Sequence, residues 1–143
     1  MDTTPHVSLR LIATADRVAH GWPIGSSFVE EFWLPIIGPS SVAVLRWLDR
    51  RADHFQRATP VDLAELAHVI GLGTSTAKHS PIVRTLDRLE RFNAARLDRL
   101  DHGAPVLSVF THLLALPPAL AARLPEHLQA EHRRVVRALA GAA

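Results

Sequence analysis

Apolar residues along the chain recur at helical spacing in some stretches and alternate or cluster in others, and Gly-Pro breaks separate them. In "SFVEEFWLPIIGPSSVAVLRWLDRRADHF" the pattern predicts two helices around a break at Gly38–Pro39. Ser27 caps a short first helix holding Phe28, Phe32 and Trp33. Ser40 or Ser41 opens a second, with Val42, Leu45 and Leu48 on one side and Arg46, Asp49, Arg50 and Arg51 on the other. In "ATPVDLAELAHVIGLG", Thr59 reads as a cap, Pro60 as the first helical residue and Asp62 as the third member of a capping box. Leu63, Leu66, Ala67 and Ile70 form the apolar face, and Gly71 is the stop.

Ser80 and Pro81 repeat the cap-then-proline signal ahead of "IVRTLDRLERFNAARL". Ile82, Val83, Leu86, Leu89 and Asn93 share one side of that helix. Arg84, Arg88 and Arg91 fall within about 60° of one another on the opposite side. Two short runs follow, 95–100 and 106–111, separated by Asp101-His102-Gly103-Ala104-Pro105. This is hairpin chemistry, and the second run has the Val, Leu and Phe content of a strand. The chain closes with two prolines, a break at Pro125 and a final helix to about residue 140. Residues 1–27 are weakly patterned: "SLRLIAT" reads as a short strand and "GWPIGSS" as a turn, together a loosely attached arm.

Composition narrows the chemistry. The chain has 143 residues, 48% of them hydrophobic, the size and content of one globular domain. No apolar run reaches the roughly 20 residues of a membrane span. No basic, then apolar, leader is visible at the N-terminus. A cytoplasmic, nucleoid-associated location is expected, with no membrane partner. The absence of cysteine excludes disulfides, thiolate metal sites and a cysteine nucleophile. Net charge is only +2, and Lys78 is the single lysine among 16 basic residues. Arginine suits bidentate phosphate and guanine recognition, but it also accumulates in GC-rich genomes. Its placement therefore matters more than its number.

The most suggestive stretch is "GLGTSTAKHSP", residues 71–81. A nucleotide-binding Walker loop needs glycine before the lysine and a hydroxyl after it, between a strand and a helix. Here Ala77 and His79 hold those positions and a helix precedes the loop, so no nucleotide or other cofactor is expected. The nine histidines show no metal-ligand spacing: His127 and His132 are five apart and do not share a helix face. No metal site is expected. No G-x-S-x-G occurs, and the chain reads as a non-enzyme.

The order of capped helix, second capped helix with a basic face, then hairpin resembles a winged helix-turn-helix domain. "TPVDLAELAHVIGLG" is similar to the first helix of many bacterial helix-turn-helix units. "FWLPIIGPSSVAVLRWL" resembles segments of winged-helix domains in bacterial replication-initiation proteins and other proteins of high-GC bacteria. The resemblance covers about residues 40–112. The nine residues from Gly71 to His79 exceed the usual three or four of the turn. The fold class it implies is mainly α with a small β-hairpin. An N-terminal arm (1–27), a winged helix-turn-helix domain (28–112) and a C-terminal helical extension (113–143) make up that layout.

The function implied is sequence-specific binding of double-stranded DNA by a transcription regulator, with the helix at about 81–92 as the recognition helix. Thr76, Lys78, His79 and Ser80 then meet the phosphate backbone at a helix N-terminus. Arg84 and Thr85 lie closest to base edges, Arg88 and Arg91 follow the groove, and Arg96 and Arg99 are available on the hairpin together with His102. The competing reading of the arginine stripe is a solvated face paired with Asp87 and neighbouring carboxylates. Leu128, His132, Val135 and Leu139 form a four-three-four seam. It serves either a homodimer or packing of the last helix on its own domain. The alternative function is a protein-interaction adaptor of the replication or transcription machinery, with Phe28, Phe32 and Trp33 as the partner surface.

Overall fold

The computed structural model describes residues 5–99 and 103–141. Strand β1 (His6–Ile12) is followed by helix α1 (Ala15–His20) and the two-residue strand β2 (Trp22–Pro23). A helical stretch then begins at Ser27, widens into a π turn over Val29–Trp33 and continues as α2 (Leu34–Ile37). Pro35 explains the widening: it has no N–H to donate, and its ring crowds the carbonyl four residues back. The Leu34 N–H reaches back to Val29 O instead.

Helix α3 (Pro39–Asp49) follows the break at Gly38, whose φ of 85° suits glycine. Next come β3 (Thr59–Asp62), α4 (Leu63–Ile70), α5 (Pro81–Arg91), β4 (Ala95–Arg99), β5 (Pro105–Phe110) and β6 (His112–Leu113). Helices α6 (Pro118–Ala121) and α7 (Glu126–Gly141) end the described chain.

The expected fold class is overturned. A mainly α protein with a small hairpin would leave β4 and β5 alone. They belong instead to a four-stranded mixed sheet of order β3-β1-β5-β4, beside a two-stranded β2-β6 sheet. Strand β1 lies inside the larger sheet, antiparallel to β3 and parallel to β5, with Leu9 opposite both Thr59 and Leu107. The segment expected to be a loose arm is thus a central element. Its alternation explains why: Leu9 and Leu11 are buried in the core, while Arg10 faces the other side of the sheet. A lone hairpin is marginal in water, and the added strands supply a face to bury.

Pairing with β1 also changes the start of α4. Thr59 does not cap: residues 59–62 are extended, and Thr59 Oγ1 donates to the Arg57 and His54 carbonyls. Asp62 is the cap, accepting from the Glu65 N–H at 3.0 Å. Gly71 ends α4 in the left-handed region, with Leu72 N donating to Ala67 O at 2.8 Å, as a Schellman stop requires. Asn93 plays the same part after α5, at φ 61°.

One core joins the parts. Leu9, Leu107 and Val109 of the sheet cluster with Leu45 and Leu48 of α3, Leu66 of α4 and Ile82 and Leu89 of α5. The same cluster takes in Phe28, Phe32 and Trp33, each less than 5% exposed. These aromatics, a partner surface only under the alternative adaptor reading, are packed in the core. Trp22 stacks on Phe28 at 3.7 Å, and Trp33 Nε1 donates to Leu114 O.

Candidate nucleic-acid interface

The candidate surface is built on α5 and the connector before it. Ile82, Leu86 and Leu89 seat the helix in the core, which turns Arg84, Asp87, Glu90 and Arg91 to solvent. Thr85 is not among the exposed residues. It is 2% exposed; its hydroxyl donates to Pro81 O at 2.7 Å and accepts from Ser40 Oγ at 2.8 Å. Thr85 therefore fastens α5 to α3 and is withdrawn from any base edge. The cause is rotational phase: position 85 lies on the buried arc with 82, 86 and 89.

Arg88 is half-buried and donates from Nη1 to Ile37 O at 3.3 Å, which ties α5 to the end of α2. Among the described residues, Arg84 and Arg91 make no such bond. The ion pairs among the described residues are Arg10–Asp98, Arg46–Glu30, Arg96–Asp98 and Arg134–Glu131. None involves an arginine of α5. Asp87 and Glu90 share the helix surface but neutralise no arginine at ion-pair distance.

In the connector, Lys78 and His79 are exposed and Thr76 is half-buried. Ser80 is buried, and its Oγ has no hydrogen-bond partner. It stands at the N-cap of α5 without donating or accepting there. Such an orphaned hydroxyl costs roughly 1–3 kcal/mol. Buried as it is, Ser80 does not present its hydroxyl to a ligand. The connector is held by Ser80 N donating to Ala77 O and Ala77 N donating to Ser75 Oγ.

The hairpin arginines are already engaged. Arg96 pairs with Asp98 at 3.0 Å and lies over the Phe110 ring, and Arg99 donates to Gly103 O. Asp101 and His102 fall outside the described residues. On the sheet face that carries Arg96, Arg10 bridges Ser108 and Asp98, while Arg17 stacks on Phe110 at 3.5 Å. Hydrogen bonds from Ser108, then Arg96 and Arg10, hold the Asp98 carboxyl down to about 2.

The seam on α7 faces its own domain. Leu128 and Val135 pack on the core, and His132 is buried against the Phe28 and Phe32 rings. His132 Nε2 accepts from Leu116 N at 3.1 Å. Burial, then the Arg133 charge, pushes its pKa down, so the neutral ring the hydrogen bond needs is the favoured form. Leu139 is half-buried further along.

Arg123 is not among the residues that local pattern singles out. It lies between α6 and α7 and meets Arg88 and Arg91 around a depression of about 530 Å³ beside Gly38. No local pattern links a residue after "LAA" to a helix separated from it by β4, β5, β6 and α6. Only the tertiary fold brings them together.

Comparison with protein-family models, with curated proteins and with solved structures finds no match.

Among the described residues, no group of histidines and carboxylates has the arrangement of a metal site, and no helix is long and apolar enough to cross a membrane.

Proposed function

We propose that the chain binds double-stranded DNA through the exposed face of α5, with Lys78 and His79 of the connector beside it, and that it acts as a non-enzymatic regulator. The observation that carries this reading is that Arg84 and Arg91 of α5 are exposed with no ion-pair or hydrogen-bond partner among the described residues, whereas the hairpin arginines are paired or bonded. The order α3-β3-α4-α5-β4-β5 supports it too, since a winged helix-turn-helix unit has that succession with α5 as its second helix. With Thr85 withdrawn, Arg84 is the remaining base reader near the helix start, and phosphate contacts supply most of the affinity. Of the α7 seam, His132 is buried within the domain while Leu128, Val135 and Leu139 are half-buried, and a homodimer through their exposed parts is part of the proposal.

The test uses fluorescence anisotropy with a mixed-sequence duplex at several salt concentrations. Arg84→Ala/Arg91→Ala is the clean variant, because Arg88 also holds α5 to α2. At low salt it should weaken binding about 100-fold and flatten the log–log salt dependence by about two. Equal binding by parent and variant sinks the assignment of α5. A second reading, a protein-interaction adaptor, is favoured by the acids Asp87 and Glu90 between the arginines. Absence of duplex binding by the parent at low salt and micromolar protein would move the case to it.

A further inference from the structure

We infer that Arg88, Arg91 and Arg123 form a binding pocket for a phosphoryl group. The depression they share is lined also by Pro35, Gly38 and Phe92, and every charged side chain in its wall is an arginine. Each of the three lacks an ion-pair partner among the described residues. Three cations gathered from two distant segments repel one another, and a bound anion removes that repulsion.

The geometry favours phosphate over a carboxylate. Arg88 is preorganised by its bond to Ile37 O through Nη1, leaving its other N–H groups to donate. With Arg91 and Arg123 in the same wall it offers three guanidinium groups, and the charge and three terminal oxygens of a phosphoryl group can engage more of their N–H donors than a singly charged carboxylate. The pocket adjoins the C-terminal end of α5, where bare carbonyls would repel an anion. Three of the last four are occupied: Phe92 N donates to Arg88 O, Ala94 N to Leu89 O and Asn93 N to Glu90 O. The nearby acids of α5, Asp87 and Glu90, are not in the wall.

The phosphoryl group comes from one of two sources. It is a backbone phosphate of a duplex lying along α5, which rests on the function proposed above, or it is a free phosphate compound. Two assays on the full chain separate them. Duplex anisotropy is measured on the parent, on Arg123→Ala, and on Arg134→Ala, which removes an equal charge from elsewhere on the C-terminal segment. Pyrophosphate is titrated in parallel, following the arginine Nε–Hε signals by NMR. Arg123 is exposed and makes no side-chain hydrogen bond among the described residues. Its variant should melt with the parent.

With a backbone phosphate in the pocket, Arg123→Ala weakens duplex binding about tenfold and flattens the salt dependence by about 0.9, and Arg134→Ala does not. With a free phosphate compound, the parent binds no duplex but shows saturable pyrophosphate shifts that Arg123→Ala abolishes. The pocket then stands while the DNA reading of α5 falls. If Arg123→Ala behaves like Arg134→Ala in both assays, the pocket is overturned whether or not the parent binds duplex.

Discussion

Leu-Asp-Arg-Leu occurs twice in this chain, at 86–89 and at 97–100. In the first copy it is a turn of α5: Leu86 and Leu89 are buried three apart, and Asp87 and Arg88 sit at the surface and its margin. In the second, residues 97–99 run along β4 and Leu100 lies outside the described residues; Leu97, the counterpart of the buried Leu86, is 54% exposed. There the aspartate is the anchored residue, bonded to Arg96 and Arg10 across the sheet. The same run thus gives a helical turn whose aspartate is in no ion pair among the described residues and, over 97–99, a strand whose aspartate is held by Arg96 and Arg10, while Arg88 and Arg99 each donate to a backbone carbonyl. Charge count therefore says little about where an anion can bind. What decides it is whether the local period of the backbone points arginine and carboxylate at each other.

The largest expected difference between the copies is in packing. Leu89→Ala empties a fully buried site between α5 and the rest of the core, and should destabilise by about 3 kcal/mol. Leu97→Ala should stay within about 0.5 kcal/mol of the parent. Urea melts of the two variants decide the matter; similar midpoints would mean the two burial assignments are wrong.

The aspartates give the next contrast. Asp98→Asn should lose about 1 kcal/mol at neutral pH, a modest figure because the carboxylate is a quarter exposed. Asp87→Asn should leave stability unchanged. The pH dependence has a definite sign. The Asp98 carboxyl titrates near 2 in the folded chain against about 3.8 when unperturbed, so the folded state favours its ionised form. Its stabilisation is complete above about pH 4 and is lost as pH falls toward 2. Parent and Asp98→Asn melts should accordingly converge over that interval; a constant gap would remove the hydrogen-bonded carboxylate from the account.

Local punctuation made much of the chain legible. Gly71 as a helix stop, Ser80-Pro81 as a helix start, and runs matching β4 and β5 all follow from signals within a few residues. What failed depended on partners far away in sequence. Thr59-Pro60 carries the chemistry of a helix start, but its position opposite Leu9 makes it an edge strand, and the cap passes to Asp62. The alternation in "SLRLI" was readable as a strand; its place between β3 and β5 was not, because nothing local specifies a partner. The same limit applies to the interface. The arginine stripe of α5 was visible as a 3.6-residue period, and Arg84 and Arg91 are exposed as that period requires. Thr85 lies one residue from Arg84, and that 100° step takes it into the core. Lys78 and His79 stand exposed in the connector, whereas Ser80 is buried beside them. The four-three-four spacing of the C-terminal seam is visible in the sequence, but spacing does not distinguish a second copy from Phe28 and Phe32 of the same chain, against which His132 lies.

The smallest effect is also the one that most directly separates the two copies. If α5 lies along a duplex, Asp87 is an uncompensated negative charge beside phosphates, whereas Asp98 is already neutralised by Arg10 and Arg96 on the sheet. Removing Asp87 should then tighten duplex binding about threefold at low salt, or ~0.7 kcal/mol, and the gain should shrink as salt screens the repulsion. Asp98→Asn should give no such gain, because the charge it deletes is paired and lies on the sheet face with Arg10 and Ser108. Anisotropy titrations of both variants at two salt concentrations measure this. Tighter binding from Asp98→Asn with none from Asp87→Asn would place the duplex against the sheet instead of α5, and the paired arginines would become the ones to test.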